Sequence, residues 1–139
     1  MTLWRLIPLW FLFSCTSGIQ NQRIHIPDSG WSEDDSLSFN FIVKDTSKIF
    51  DFNISAVIAD TFPFQNLYLK GIVMSSEKII SDTIFSLEFY DHMGVPVNST
   101  NLKGIQGVDS EFLKLILIQY SREPNVTGIR EVKVQLSTR

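Results

Sequence analysis

Phe52, Ile54, Ala56 and Ile58 alternate with Asp51, Asn53 and Ser55, a period of two that fits a strand with one buried face and no helix. Phe62-Pro63-Phe64 then turns the chain. Pro63 has no amide hydrogen and biases Phe62 towards an extended conformation, which suits an edge or a connection better than a central ladder position. Beyond it Leu67, Leu69 and Val73 share one face while Tyr68, Ile72 and Met74 share the other, the pattern expected of a strand covered on both sides. Asp51 to Met74 thus predicts two strands joined at an aromatic corner, with the rings in the core.

The rest of the chain repeats this period. Arg23 to Ile26 is a short opening strand, closed by the turn formers Pro27-Asp28-Ser29-Gly30. Ser36 to Lys44 places Leu37, Phe39, Phe41 and Val43 on one face, and Asp45-Thr46-Ser47 ends it. Ser75 to Lys78 reads as a loop, and Asp82 to Asp91 as a strand with Phe85, Leu87 and Phe89 inward. Phe112 to Tyr120 is apolar on both faces, and its β-branched content and short length favour a buried strand over a helix. Gly128 to Leu136 closes the chain with Val132, Val134 and Leu136 against Glu131, Lys133 and Gln135. Seven strand candidates, no persuasive helix and no internal repeat predict an all-β fold, an antiparallel β-sandwich of about seven strands. A chain of 139 residues, 44% hydrophobic and 19% charged, fits one such domain.

Val95 to Asp109 lacks periodicity, with Gly104 and Gly107 spaced through it. Long loops on a compact scaffold are often functional, so Asn98, Asn101, Lys103, Gln106 and Asp109 are candidates for partner contact; an ordinary surface loop is the plain alternative. Twelve basic and fifteen acidic residues give a net charge of -3 with no cluster of Lys and Arg, which argues against a nucleic-acid partner. The two histidines, His25 and His92, lack a second ligand at metal spacing, and Glu33-Asp34-Asp35 lacks the alternation and glycine of a calcium loop. No Gly-x-Ser-x-Gly elbow and no Gly-rich phosphate loop occurs. The expectation is a protein without catalytic residues, cofactor or metal. Asn53, Asn98 and Asn125 begin glycosylation-type triplets, which arise often by chance.

Met1 to Ser14 carries one charge, Arg5, followed by the apolar run Leu6 to Phe13, the layout of a secretory signal peptide. The run is shorter than the ~20 residues a membrane-spanning helix needs. It ends in Leu12-Phe13-Ser14-Cys15, which resembles a bacterial lipobox, so that the Cys15 thiolate would accept diacylglycerol and become the mature N-terminus. One acyl chain binds a membrane only marginally and two or more hold stably. A chance cysteine beside an ordinary cleavage site is the alternative. The expected organisation is a lipoprotein signal peptide over 1–14, a lipidated tether over 15–22 and the sandwich over 23–139.

Asp45-Thr46, Phe50-Asp51-Phe52, Phe62-Pro63-Phe64-Gln65-Asn66-Leu67-Tyr68-Leu69, Asp82-Thr83-Ile84 and Gly128-Ile129-Arg130-Glu131-Val132, in that order, resemble the gliding-motility lipoprotein H (GldH) family of the Bacteroidetes. The stretch from Gly94 to Gly107 departs from the family by lacking Trp, and the link from Arg122 to Thr127 is short. The resemblance implies a lipid-anchored envelope protein, held in the outer membrane and facing the periplasm or the cell surface. It implies a role in gliding and type IX secretion through other envelope proteins, with no catalytic residue. A different reading is a lipid-anchored carbohydrate- or ligand-binding module, with Trp31, Tyr68 or Tyr90 as an exposed stacking platform.

Overall fold

The computed structural model describes residues 19–90, 93–94, 99–121 and 123–139, so Cys15, His92 and Asn98 lie outside the described residues. Among the described residues there are ten strands and no helix: β1 (Gln20–His25), β2 (Trp31–Ser32), β3 (Leu37–Ile42), β4 (Phe50–Ile58), β5 (Asn66–Ser75), β6 (Lys78–Glu88), β7 (Ser99–Ile105), β8 (Phe112–Gln119), β9 (Asn125–Val126) and β10 (Ile129–Thr138). Two antiparallel four-stranded sheets, ordered β1-β10-β4-β7 and β3-β8-β5-β6, form the layers of a sandwich, and a small β2-β9 ladder lies beside them.

The alternation seen in the sequence is what lets the two sheets meet. On β4, Phe50, Phe52, Ile54 and Ala56 point inward, with Val132, Val134 and Leu136 of β10 beside them. Phe39 and Phe41 of β3, Leu67, Leu69 and Val73 of β5, and Leu113, Leu115 and Leu117 of β8 supply the facing layer. Phe41 and Phe52 meet across the gap with ring centroids 5.6 Å apart. Gly71 of β5 faces the same interior, where a Cβ would sit 2.8 Å from the Phe85 ring and 3.2 Å from a Leu102 methyl. Only glycine leaves β6 and β7 room to close on that side.

The fold has three more strands than the seven expected. β2 and β9 are two residues each, too short for any period to show. β7 occupies the middle of the stretch expected to be irregular. On β4 Phe50 and Phe52 are two apart, yet their partners on β7, Ile105 and Leu102, are three apart, so β7 carries an extra residue. Gly104, at φ +72°, makes that bulge without strain and breaks the period of two. A second register shift, between Val73 and Met74, puts Ile79 opposite Met74 and leaves Ile80 packed against the core. That shift conceals the first part of β6, which begins at Lys78 rather than Asp82, so Ser75 to Lys78 is a tight hairpin turn. β1 begins at Gln20, so three residues assigned to the tether belong to the sheet.

Two expectations about burial are corrected. β5 and β8 each bury one face only. Tyr68 is 51% exposed on β5, and Phe112, at the start of β8, is 61% exposed. No further layer among the described residues covers their outer side. At the aromatic corner Phe89 is fully buried and Phe62 packs edge-on against it at 4.8 Å, but Phe64 touches Phe62 from the surface and is 37% exposed.

Candidate functional site

The expected contact region is not a loop gathered at one place. β7 is an edge strand paired with β4 from Ser55 to Phe50; Asn101 and Lys103 lie on it, and Gln106 and Asp109 follow its end. Asn101 lies on the outer face of the β1-β10-β4-β7 sheet, where its Oδ1 accepts a hydrogen bond from Asn53 Nδ2 at 2.8 Å. Lys103 and Gln106 are exposed. Asp109 turns back to the end of β5: its Oδ1 accepts from the buried Ser75 hydroxyl at 2.9 Å, and its amide donates to the same oxygen at 3.1 Å. Asp109 therefore fastens a connection.

Asp51 is the best-tied charge on the outer polar sheet. Its carboxylate takes two hydrogen bonds from the Arg139 guanidinium, at 2.9 and 3.0 Å, and one from the Gly104 amide at 2.9 Å. The Arg139 bonds first, and then the Gly104 amide, hold the Asp51 carboxyl below its ordinary value of 3.8. This clamp joins the chain end, β4 and the bulge of β7. Its partners are a chain-end arginine and the bulge amide of an edge strand, so its pKa shift reads as structural. Gln119, 1% exposed, has a similar role inside: its Nε2 donates to the carbonyls of Trp31, Glu123 and Pro124, and its Oε1 accepts from the amide and hydroxyl of Ser121. Among the described residues no group of three His, Cys, Asp or Glu side chains is placed to hold a metal ion.

The two outer faces differ in chemistry. The β1-β10-β4-β7 sheet presents Asn21, Arg23, Asp51, Asn53, Ser55, Lys133 and Gln135, with Val57 the apolar exception. The β3-β8-β5-β6 sheet presents Ile42, Tyr68, Ile79, Ile84 and Phe112, each more than half exposed, with half-buried Ile72 and Ile116 paired across the middle. Tyr120, 61% exposed, continues this face by donating its amide to the Tyr68 carbonyl at 2.8 Å. The Lys70–Asp82 pair at 3.8 Å is the ion pair set within it. An apolar patch spread over four strands and dotted with charge has the character of a protein contact surface. Sequence reasoning missed it because an apolar residue on the second face of a strand reads as buried. The pairs Ile42–Phe112 and Ile72–Ile116 are the signal, and they need the register to be known.

Of the three rings expected to form a stacking platform, Trp31 is buried at 2% exposure and donates its indole N–H to the Asp35 carbonyl at 2.7 Å. Tyr68 and Tyr90 are exposed. Tyr68 lines a hollow of 270 Å³ with Phe64, Asn66 and Ser121. A larger hollow of 470 Å³ opens at the other end of the sandwich, where Ile19 and Gln20 enter the fold beside Ile42 and Phe50.

Comparison with curated proteins gives no match. The sequence model of the GldH lipoprotein family matches residues 18–136, a span that takes in every strand from β1 to β9 and nearly all of β10. The strands, the aromatic corner and the closing Gly128–Val132 segment all fall inside that span, and the chain belongs to the GldH lipoprotein family.

Proposed function

We propose that this chain is a non-catalytic interaction component of the gliding-motility and type IX secretion apparatus, anchored to the outer membrane by lipid on Cys15. Membership in a family of lipoproteins supports a lipid anchor in the cell envelope. The observation that carries the interaction role is the exposed apolar face of the β3-β8-β5-β6 sheet, opposite a polar one. The partner is a protein of the same envelope apparatus, seated on Tyr68, Ile84 and Tyr120.

Two substitutions in cells test this. Cys15→Ser is expected to release the protein from the membrane fraction and to stop gliding. Ile84→Glu alters an exposed side chain, so the protein is expected to stay folded and membrane-bound while gliding and secretion fall. Normal gliding and secretion in Ile84→Glu cells would remove this face from the function, and a Cys15→Ser protein that stays with membranes would remove the anchor.

The hollow lined by Phe64, Asn66, Tyr68 and Ser121 favours a second reading, a small carbohydrate or other ligand stacked on Tyr68. Calorimetric titration with envelope glycans against the wild type and Tyr68→Ala separates the two readings, since the second requires binding that the variant loses.

A further inference from the structure

The hollow of 470 Å³ at the end where the chain enters is walled by Ile19, Ile42, Phe50 and Leu136, with Lys44 and Lys48 also lining it. Ile19 and Ile42 are 47% and 59% exposed. Gln20 ties this end together: its side-chain amide donates to the Ile42 carbonyl and accepts the Ile42 amide hydrogen at 3.2 Å. The position of β1 in the sequence gives this end its meaning. Only four residue steps separate Cys15 from Ile19, and four residues span at most about 14 Å.

We propose that the bilayer holding the anchor is itself the partner of this end: Ile19 and Ile42 dip into the lipid headgroup layer while Lys44 and Lys48 reach the phosphates. The inference rests on the lipid anchor proposed above. Lysine stems lie along apolar surface while the ammonium stays at the wet boundary, which suits the edge of an apolar hollow. Neither lysine is in an ion pair among the described residues. Asp45 lines the same hollow, its carboxylate accepting hydrogen bonds from the Ser47 hydroxyl and amide and lying close enough to Lys48 to feel its charge.

Charge alone would not hold the domain down, since the whole chain is acidic at -3 and Glu77 and Glu111 lie on turns at the same end. The short tether replaces that attraction. It converts a weak bimolecular contact into an intramolecular one at an effective concentration on the order of millimolar. End-on contact also leaves the half of the apolar face around Tyr68 and Ile84, away from Ile42, open to a partner.

The mature sequence carries its own control. Trp31 is the only tryptophan after Cys15, and it is buried near the far end of the sandwich, on the β2-β9 ladder. Lipidated wild type, Ile42→Trp and Tyr120→Trp are reconstituted in phosphatidylethanolamine–phosphatidylglycerol vesicles with and without acyl-brominated lipid. Bromine is expected to quench the added fluorescence of Ile42→Trp several-fold while leaving the wild type and Tyr120→Trp unchanged. Equal quenching of Ile42→Trp and Tyr120→Trp, or none in either, would overturn the end-on contact. Flotation of the same vesicles reads the anchor separately: protein that floats without Ile42→Trp quenching refutes only this contact, and protein that fails to float refutes the anchor as well.

Discussion

Phe64 and Phe89 carry opposite weights although they belong to one aromatic cluster. Phe89 is fully buried with Phe62 packed on it, and Phe64 closes the cluster from the solvent side. Phe89→Ala is expected to cost about 3–5 kcal/mol, as a truncated core ring does, and Phe64→Ala about 1 kcal/mol, both read by urea denaturation. Equal losses would place Phe64 in the core. Asp51 sets a pH dependence. Its carboxyl is held below 3.8 in the fold, so its contribution is complete above that pH and disappears as pH falls through the lower folded value. Asp51→Asn should therefore flatten the acid limb of thermal stability as pH falls below 3.8. At this scale the sequence is informative about the inward residues, because Phe52, Ile54 and Val134 stand at a regular period. It is silent about Phe64, whose exposure depends on how Phe62 and Pro63 aim the chain.

Elements were legible where the period of two held. β3, β4, β5 and β10 follow it, β8 was legible instead by its short apolar run, and each lies within a residue or two of its expected bounds. β7 escaped because the bulge at Gly104 inserts one residue between Leu102 and Ile105. The stretch expected to be irregular, Val95 to Asp109, thus contains an edge strand. The edges also have chemistry that no pattern announces. Gln22 offers Asn40 both halves of its side-chain amide, accepting the Asn40 N–H at 3.1 Å and donating to its carbonyl, and Gln20 does the same for Ile42. The two glutamines thus occupy the backbone groups that edge strand β3 would otherwise offer to another chain. Gln20→Val with Gln22→Val is expected to cost about 1–2 kcal/mol and to promote self-association, seen by light scattering of the Cys15→Ser protein as concentration rises. A doubly substituted protein that stays monomeric would show the edge to be protected by other means.

The described residues form a sandwich with one polar face and one apolar face, opened at one end by Ile19 and β1. Family membership accounts for the lipoprotein character, and the proposed contact role rests on the asymmetry of the two faces. Tyr68, Ile84 and Tyr120 lie on the half of the apolar face away from Ile42, so an end-on domain would keep that half clear of lipid. Site-specific photo-crosslinking in living cells tests this most directly, with the crosslinker placed at Ile84 or Tyr68 on one face and at Asn53 or Lys133 on the other. The account predicts a discrete protein adduct from Ile84 and Tyr68 and none from Asn53 and Lys133. An adduct confined to Asn53 and Lys133, or equal from both faces, would contradict it.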